Sequence, residues 1–187
     1  MEFDKDLQSI QEVRNLVAKA KQAQKEYSQY TQQQVDDIVK AVARACEGQC
    51  ERLAKMACEE TGFGVWQDKV LKNRLGSTVT YESIKDLKTV GVLSEDSATG
   101  VTEIGVPMGV VAIIYESRPN VTSDAAALAI KSGNVCVLRG GKEAFNSANA
   151  IVNALKEGLK KVGLSENLIN IVSDKSREGA NYLMTAT

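Results

Sequence analysis

The sequence contains no histidine, and this absence excludes several kinds of active site from the chain. Ser-His-Asp and Cys-His systems use an imidazole as general base, and many zinc sites use it as a ligand. Acid–base chemistry is therefore left to carboxylates, lysine, tyrosine or water. The cysteines lack the Cys-x-x-Cys spacing of metal and redox sites, so we predict no metal site. We interpret all four as core or helix-face residues: Cys46, Cys50, Cys58 and Cys136.

Long apolar runs and an excess of one charge sign are also missing. No stretch is long enough to cross a bilayer, and the acidic start MEFDKD lacks the apolar core of a secretion signal. We therefore expect a cytoplasmic protein with no membrane partner. Acidic and basic residues number 24 and 23, so the charge balance does not indicate a nucleic-acid partner.

The chain divides into a helical segment, residues 1–100, and an alternating segment, residues 101–187. In the first segment, apolar residues recur at helical spacing, Thr31 and Gln34 form a capping-box pattern, and Gly62 predicts a helix end. A strand is predicted at 89–93 and a polar turn at 94–100. Both segments are expected to form one structural domain.

The second segment predicts a parallel α/β sheet. Its strands are expected at 109–115, 134–139 and 168–172, and its helices at 122–131, 143–162 and from about residue 175. The short apolar runs 110–114 and 135–138 show no polar alternation, which is typical of strands covered on both faces. The order β-α-β-α-β implies right-handed crossovers. The fold class is therefore α/β, with N-terminal helices followed by a Rossmann-like sheet whose last strand presents an edge.

Polar loops follow the first two strands, at the edge of a parallel sheet where ligands bind. In the first loop, residues 115–120, the amide of Asn120 could donate a hydrogen bond to an oxyanion forming on an acyl carbon. Asn120 could equally cap a helix that begins near Thr122, where Thr122 or Ser123 is the other candidate cap. Arg118 could grip a phosphate or carboxylate, although composition alone favours a surface ion pair.

The second loop, residues 139–143, reads RGGKE and opens a helix. Its two glycines would let a ligand approach the backbone, and a helix N-terminus favours anions. The loop matches neither G-x-G-x-x-G nor a Walker A sequence, and a simple tight turn is the alternative. We predict that the two loops lie side by side and open onto one nucleotide cleft.

The chain also resembles two branches of the aldehyde dehydrogenase superfamily. VPMGVVAIIYESRPNVT at 106–122, with DAAAL at 124–128, KSGN at 131–134 and LRGGKEA at 138–144, resembles gamma-glutamyl phosphate reductase (glutamate-5-semialdehyde dehydrogenase) across residues 105–187. Residues 1–104 are similar instead to CoA-acylating aldehyde dehydrogenases, through AKMACEETGFG, DKVLKN and KDLKTVGVLSED. Those enzymes usually carry a Thr-Asn-Pro-Thr-Ser type of loop where this chain has SRPN. The resemblance implies an aldehyde dehydrogenase-like fold.

The resemblance also implies roles for individual residues. Asn120 matches the oxyanion-hole asparagine of the superfamily. Arg139 falls where many members place a lysine for the cofactor ribose, and Lys142 falls on an acidic residue of the same motif. An acid there favours NAD and a lysine favours a 2′-phosphate, so NADP is preferred over NAD as cofactor. The expected cofactor-binding residues are Ile114, Tyr115, Arg139, Gly140, Gly141 and Lys142.

The implied activity is the NAD(P)-dependent interconversion of an activated acyl group and an aldehyde. The expected small-molecule substrate is an acyl phosphate, gamma-glutamyl phosphate in particular, with Arg118 holding the phosphoryl group; acyl-CoA is the alternative. No residue matches the superfamily's catalytic cysteine, so the chain is expected to be an N-terminal fragment without the catalytic domain, inactive alone. A non-catalytic oligomerisation or binding module is the remaining alternative, and a homo-oligomer is expected.

Overall fold

A computed structural model of the chain describes residues 4–186. The helices are α1 Lys5–Tyr27, α2 Gln32–Glu47, α3 Cys50–Thr61, α4 Trp66–Arg74, α5 Thr80–Ile84, α6 Pro119–Lys131, α7 Phe145–Lys161 and α8 Arg177–Thr185. The strands are β1 Gly91–Asp96, β2 Val101–Gly105, β3 Val110–Ile114, β4 Val135–Arg139 and β5 Ile169–Ile171. A π-helical segment, Leu75–Val79, joins α4 to α5, and short 3₁₀ turns occupy Lys142–Ala144 and Glu166–Leu168.

The predicted parallel sheet is confirmed. Strands β3, β4 and β5 pair in that order, both pairs are parallel, and α6 and α7 connect them. Every residue of the central strand β4 is buried, as its unbroken apolar run predicts. The same prediction is wrong for β3, which leaves Ala112 and Ile114 exposed. Within residues 4–186, β3 has a neighbour on one side only, so apolar composition did not distinguish this edge strand from a central one.

The N-terminal helices share one hydrophobic core with the sheet. The side chain of Gln24 on α1 donates to the Gly133 carbonyl and accepts from the Val135 backbone N–H, at 3.0 and 2.7 Å, so α1 is fixed to the start of β4. The hydroxyl of Tyr27 donates to the Ile130 carbonyl at 2.7 Å. The capping box at Thr31 is confirmed. These bonds hold the helical segment against the strands that carry the two loops.

Strands β1 and β2 form an antiparallel hairpin apart from the parallel sheet. The strand predicted at 89–93 is observed as β1, Gly91–Asp96, so the polar turn is shortened to residues 97–100. The boundary drawn between residues 100 and 101 therefore falls inside the hairpin. Val92, Val101 and Ile104 on the hairpin are exposed. Among residues 4–186, no helix is both long enough and apolar enough to cross a membrane.

Helix α6 begins earlier than the predicted start near Thr122. Pro119 occupies the first turn, where its missing N–H and fixed φ suit a helix start, and Arg118 stands at the N-cap without a side-chain capping bond. Thr122 and Ser123 therefore do not cap the helix. The Thr122 hydroxyl instead pairs with the Tyr115 hydroxyl, and the Ser123 hydroxyl donates to the Asn120 carbonyl at 3.0 Å.

Candidate functional site

The first and second loops contact each other along their length, as predicted. The register pairs Ile114 with Arg139, and the Tyr115 N–H donates to the Arg139 carbonyl at 3.0 Å. Side chains on the second loop would force the loops apart. A Cβ added at Gly140 would lie 3.2 Å from the Tyr115 ring, and one at Gly141 would lie 2.8 Å from the backbone nitrogen of Ser117. Gly140 and Gly141 therefore allow the second loop to pack closely against the first loop.

Asn120 lies inside the first turn of α6, so the interpretation of this residue as a helix cap is wrong. Its side chain is partly exposed, and its amide makes no hydrogen bond with the rest of residues 4–186. It lines a cleft of about 400 Å³ between the first loop and α4. The polar side chains of this cleft come from Lys69, Lys72, Asn73, Ser117, Arg118 and Asn120.

Arg118 forms a surface ion pair, as composition alone favoured. Its Nε lies 3.0 Å from a carboxylate oxygen of Glu116, with 67% of the Arg118 side chain exposed. The same residue also lines the cleft beside Asn120. An ion pair this exposed contributes little to stability, so the guanidinium is held only weakly by its partner.

The π-helical segment positions the Asn120 turn. A Cβ added at Gly76 would lie 2.6 Å from the Asn120 backbone carbonyl, so glycine allows the segment and the start of α6 to touch. The Thr80 hydroxyl donates to the Asp124 carboxylate at 2.9 Å and holds the next turn. The helical spacing predicted for the first segment did not reveal this π-helical segment. The Gly76–Ser77 pair was the signal that could have revealed a break.

Arg139 is only 9% exposed, because its guanidinium binds the protein's own backbone. One terminal nitrogen donates to the carbonyls of Lys175 and Ser176, at 3.0 and 3.2 Å, and the other donates to the Gly140 carbonyl. Its Nε is buried with no partner among the described residues. The side chain thus ties the end of β4 to the segment before α8. Its role toward the cofactor ribose stays a prediction.

The start of α7 already holds an anion, and that anion belongs to the protein. The Glu60 carboxylate, on α3, accepts hydrogen bonds from the backbone N–H groups of Asn146 and Ser147, each at 2.7 Å. It also accepts a hydrogen bond from the Ser147 hydroxyl. These N–H groups are the free donors of a helix N-terminus. Sequence reasoning missed Glu60, since nothing local to the second loop indicates a partner so distant in the chain.

The remaining residues of the expected cofactor site differ in how open they are. Burial raises the pKa of Tyr115 to about 12, while its hydrogen bond to Thr122, at 2.7 Å, partly opposes that rise. Glu143 accepts the Ser117 hydroxyl at 2.5 Å, and this bond lowers the pKa of the exposed Glu143 carboxyl. Lys142 is exposed and makes no ion pair among residues 4–186, and Ile114 is 48% exposed at the end of β3.

The cysteines lie as the sequence predicts for core and helix-face positions. Cys46, Cys50 and Cys136 are buried, and Cys58 is partly exposed. Burial raises the pKa of Cys46 and of Cys136 to about 12, and it also raises the pKa of Cys50. Because the thiolate is the attacking form of cysteine, these buried thiols are poor nucleophiles at neutral pH.

Comparison with known proteins agrees with the fold and with both resemblances. A profile described as the aldehyde dehydrogenase family matches residues 6–187. The chain is 49% identical over 130 residues to a gamma-glutamyl phosphate reductase of Streptococcus suis, covering 65% of this chain and 32% of that protein. It is 39% identical over 174 residues to an acetylating succinate-semialdehyde dehydrogenase of Clostridium kluyveri, covering 92% of this chain and 38% of that protein.

A solved structure shows the same arrangement of helices and strands. The crystal structure of an acetylating aldehyde dehydrogenase from Geobacillus thermoglucosidasius matches with a TM-score of 0.96 and 38% identity, over 100% of this chain and 42% of that chain. The chain therefore spans about a third to two fifths of the length of these relatives. The family profile covers nearly all of its residues. The chain belongs to the aldehyde dehydrogenase family.

Proposed function

We propose that the full-length protein carrying this chain reduces an activated acyl group to an aldehyde with NADPH or NADH, or runs the reverse reaction. The observation that carries this proposal is the side-chain amide of Asn120. It has no hydrogen-bond partner among residues 4–186, and it lines a cleft beside basic side chains. An amide held ready on a helix is suited to stabilise negative charge on an acyl oxygen.

Asn120 contributes by donating a hydrogen bond to the carbonyl oxygen as a nucleophile adds to the acyl carbon. The backbone carbonyl of Asn120 packs against Gly76 and accepts a hydrogen bond from the Ser123 hydroxyl. These two contacts hold the Asn120 backbone in place before the substrate binds. The nucleophile is a cysteine outside this chain, a proposal that the burial of Cys46, Cys50 and Cys136 supports.

The second loop fits a nucleotide in part. The Arg139 guanidinium and the start of α7 are already bound to protein groups, so they offer little to a phosphate. Lys142 is exposed without an ion-pair partner and Ile114 is half exposed, so these two residues would hold the nucleotide at the end of the sheet. The cofactor supplies hydride. Lys142 suits the 2′-phosphate of NADP better than the ribose hydroxyls of NAD, because its charge is otherwise unpaired.

An acyl phosphate, with gamma-glutamyl phosphate foremost, is the proposed substrate. The basic side chains around Asn120, among them Arg118, suit a phosphoryl group, and the Streptococcus suis relative is named a gamma-glutamyl phosphate reductase. An acyl-CoA is the second candidate, because a relative that aligns with 92% of this chain is named an acetylating dehydrogenase.

Assays of the full-length protein separate these substrates. We expect NADP reduction with glutamate-5-semialdehyde to depend on inorganic phosphate rather than on CoA. Asn120→Ala should lower kcat about 10²–10³-fold, while the exposed Asn153→Ala on α7 leaves it unchanged. Dependence on CoA instead would favour the acyl-CoA candidate. Binding of neither nucleotide would leave the non-catalytic binding module as the better description.

A homo-oligomer is also part of the proposal. Val106 and Met108, which follow the hairpin, are 75% and 89% exposed, and Val101 and Ile104 on β2 are exposed as well. Four large, exposed apolar side chains within residues 101–108 favour a surface that another chain covers.

A further inference from the structure

We propose that Lys69 and Lys72, on α4, form a phosphoryl-binding wall of the cleft that contains Asn120. The inference rests on the proposed function and deepens it by assigning residues to the recognition of the substrate. These lysines belong to a stretch that sequence reasoning connected with CoA-acylating relatives. Nothing in their local pattern indicated a ligand.

The two lysines face the same space as Asn120. They lie three residues apart on a helix, which places their side chains on one face. Both line the 400 Å³ cleft whose opposite wall is made by Ser117, Arg118 and Asn120. A substrate whose acyl oxygen meets Asn120 would therefore have its leaving group within the same cleft as both ammonium groups.

The two lysine charges of the cleft have no carboxylate partner among the described residues. Neither Lys69 nor Lys72 makes an ion pair among residues 4–186, and no carboxylate lines the cleft. Together with Arg118, whose partner Glu116 is itself exposed, the cleft gathers three cationic side chains whose mutual repulsion an anion would relieve. A phosphoryl group carries nearly two negative charges and several acceptor oxygens.

The position of α4 is fixed well enough for such recognition. The Asn73 side chain is buried and donates to the Cys50 carbonyl at 3.0 Å, which fastens α4 to α3. Lys55 stacks over the Trp66 ring, 4.7 Å from its centroid, at the start of α4. Lys69 is itself partly buried, so a bound anion there would be less screened by solvent than at an open surface.

The test measures binding of inorganic phosphate to the full-length protein by calorimetry, at constant ionic strength and without nucleotide. We expect Lys69→Gln and Lys72→Gln each to weaken phosphate binding at least fivefold, and the double variant at least twentyfold. Lys161→Gln is the matched control, because Lys161 is an exposed lysine in the last turn of α7 with no ion pair among the described residues. It should leave the affinity unchanged.

Two readouts keep this inference separate from the proposed function. NADPH affinity, followed by fluorescence, should be the same in all four variants, and hydride transfer is measured separately from phosphate binding. An equal loss with Lys161→Gln, unchanged affinity in the α4 variants, or no phosphate binding by the wild-type protein would each overturn the inference. If phosphate binding depends on the α4 lysines but no hydride transfer occurs, the phosphoryl-binding role of the lysines is supported and the proposed reaction is contradicted.

Discussion

The first and second loops look equivalent in the sequence, yet the structure uses them differently. Each follows an apolar strand and carries an arginine at the edge of the sheet where ligands bind. The side chain of Arg118 is 67% exposed and holds only a surface carboxylate, whereas Arg139 is 9% exposed and binds backbone carbonyls. An arginine at a strand end can therefore either stay exposed or be bound by the fold. The presence of unsatisfied carbonyls nearby decides which.

Removing each arginine in turn gives the largest difference between the loops. Arg139→Leu should lower the free energy of unfolding by about 3 kcal/mol, because it removes the charged donor of two partly buried hydrogen bonds, to the carbonyls of Lys175 and Ser176. Arg118→Leu should change it by less than about 0.5 kcal/mol, since exposed ion pairs contribute little. Urea denaturation of both variants measures the contrast. Equal losses would mean that the loops do not differ in this way.

Separating the loops should have the next largest effect. Gly141→Ala should lower the free energy of unfolding by about 2 kcal/mol, because the new methyl group would meet the Ser117 backbone and push the loops apart. Gly48→Ala is the matched control, since a Cβ there meets nothing within 4 Å. Thermal unfolding followed by circular dichroism compares the two. A Gly141 variant as stable as the control would show that the close approach is not required.

The smallest expected effect concerns Glu60, whose carboxylate binds the start of α7 just after the second loop. Glu60→Gln should destabilise the protein by about 1 kcal/mol, because a neutral amide is a weaker acceptor for the N–H groups at the start of α7. The adjacent, exposed Glu59→Gln should have no measurable effect. Chemical denaturation of the pair isolates the contribution of the helix terminus. A greater loss for the Glu59 variant would contradict it.

Sequence reasoning succeeded where the determinants of structure are local. The unbroken apolar run of β4 predicted a buried strand, and Thr31 with Gln34 predicted a capped helix start, because both depend on neighbouring residues only. The same reasoning misplaced the start of α6. An asparagine and two hydroxyl residues resembled caps, although Pro119 had already begun the helix.

Non-local partners account for what the sequence could not reveal about the site. Arg139 reaches carbonyls 36 and 37 residues away, and Glu60 reaches α7 across 86 residues. Such pairs leave no periodic pattern along the chain. The prediction that the two loops meet succeeded nonetheless, because parallel strands joined by short crossovers must end at the same edge of a sheet.

Because of the Glu60 carboxylate, the start of helix α7 needs no bound anion to satisfy its backbone N–H groups. Where a bound phosphate supplies the negative charge at a helix start, the empty protein has exposed donors that must exchange water for ligand in every catalytic cycle. Here the protein's own Glu60 carboxylate already satisfies the donors of Asn146 and Ser147. A nucleotide bound at this edge of the sheet would therefore gain no affinity from ordering the start of this helix.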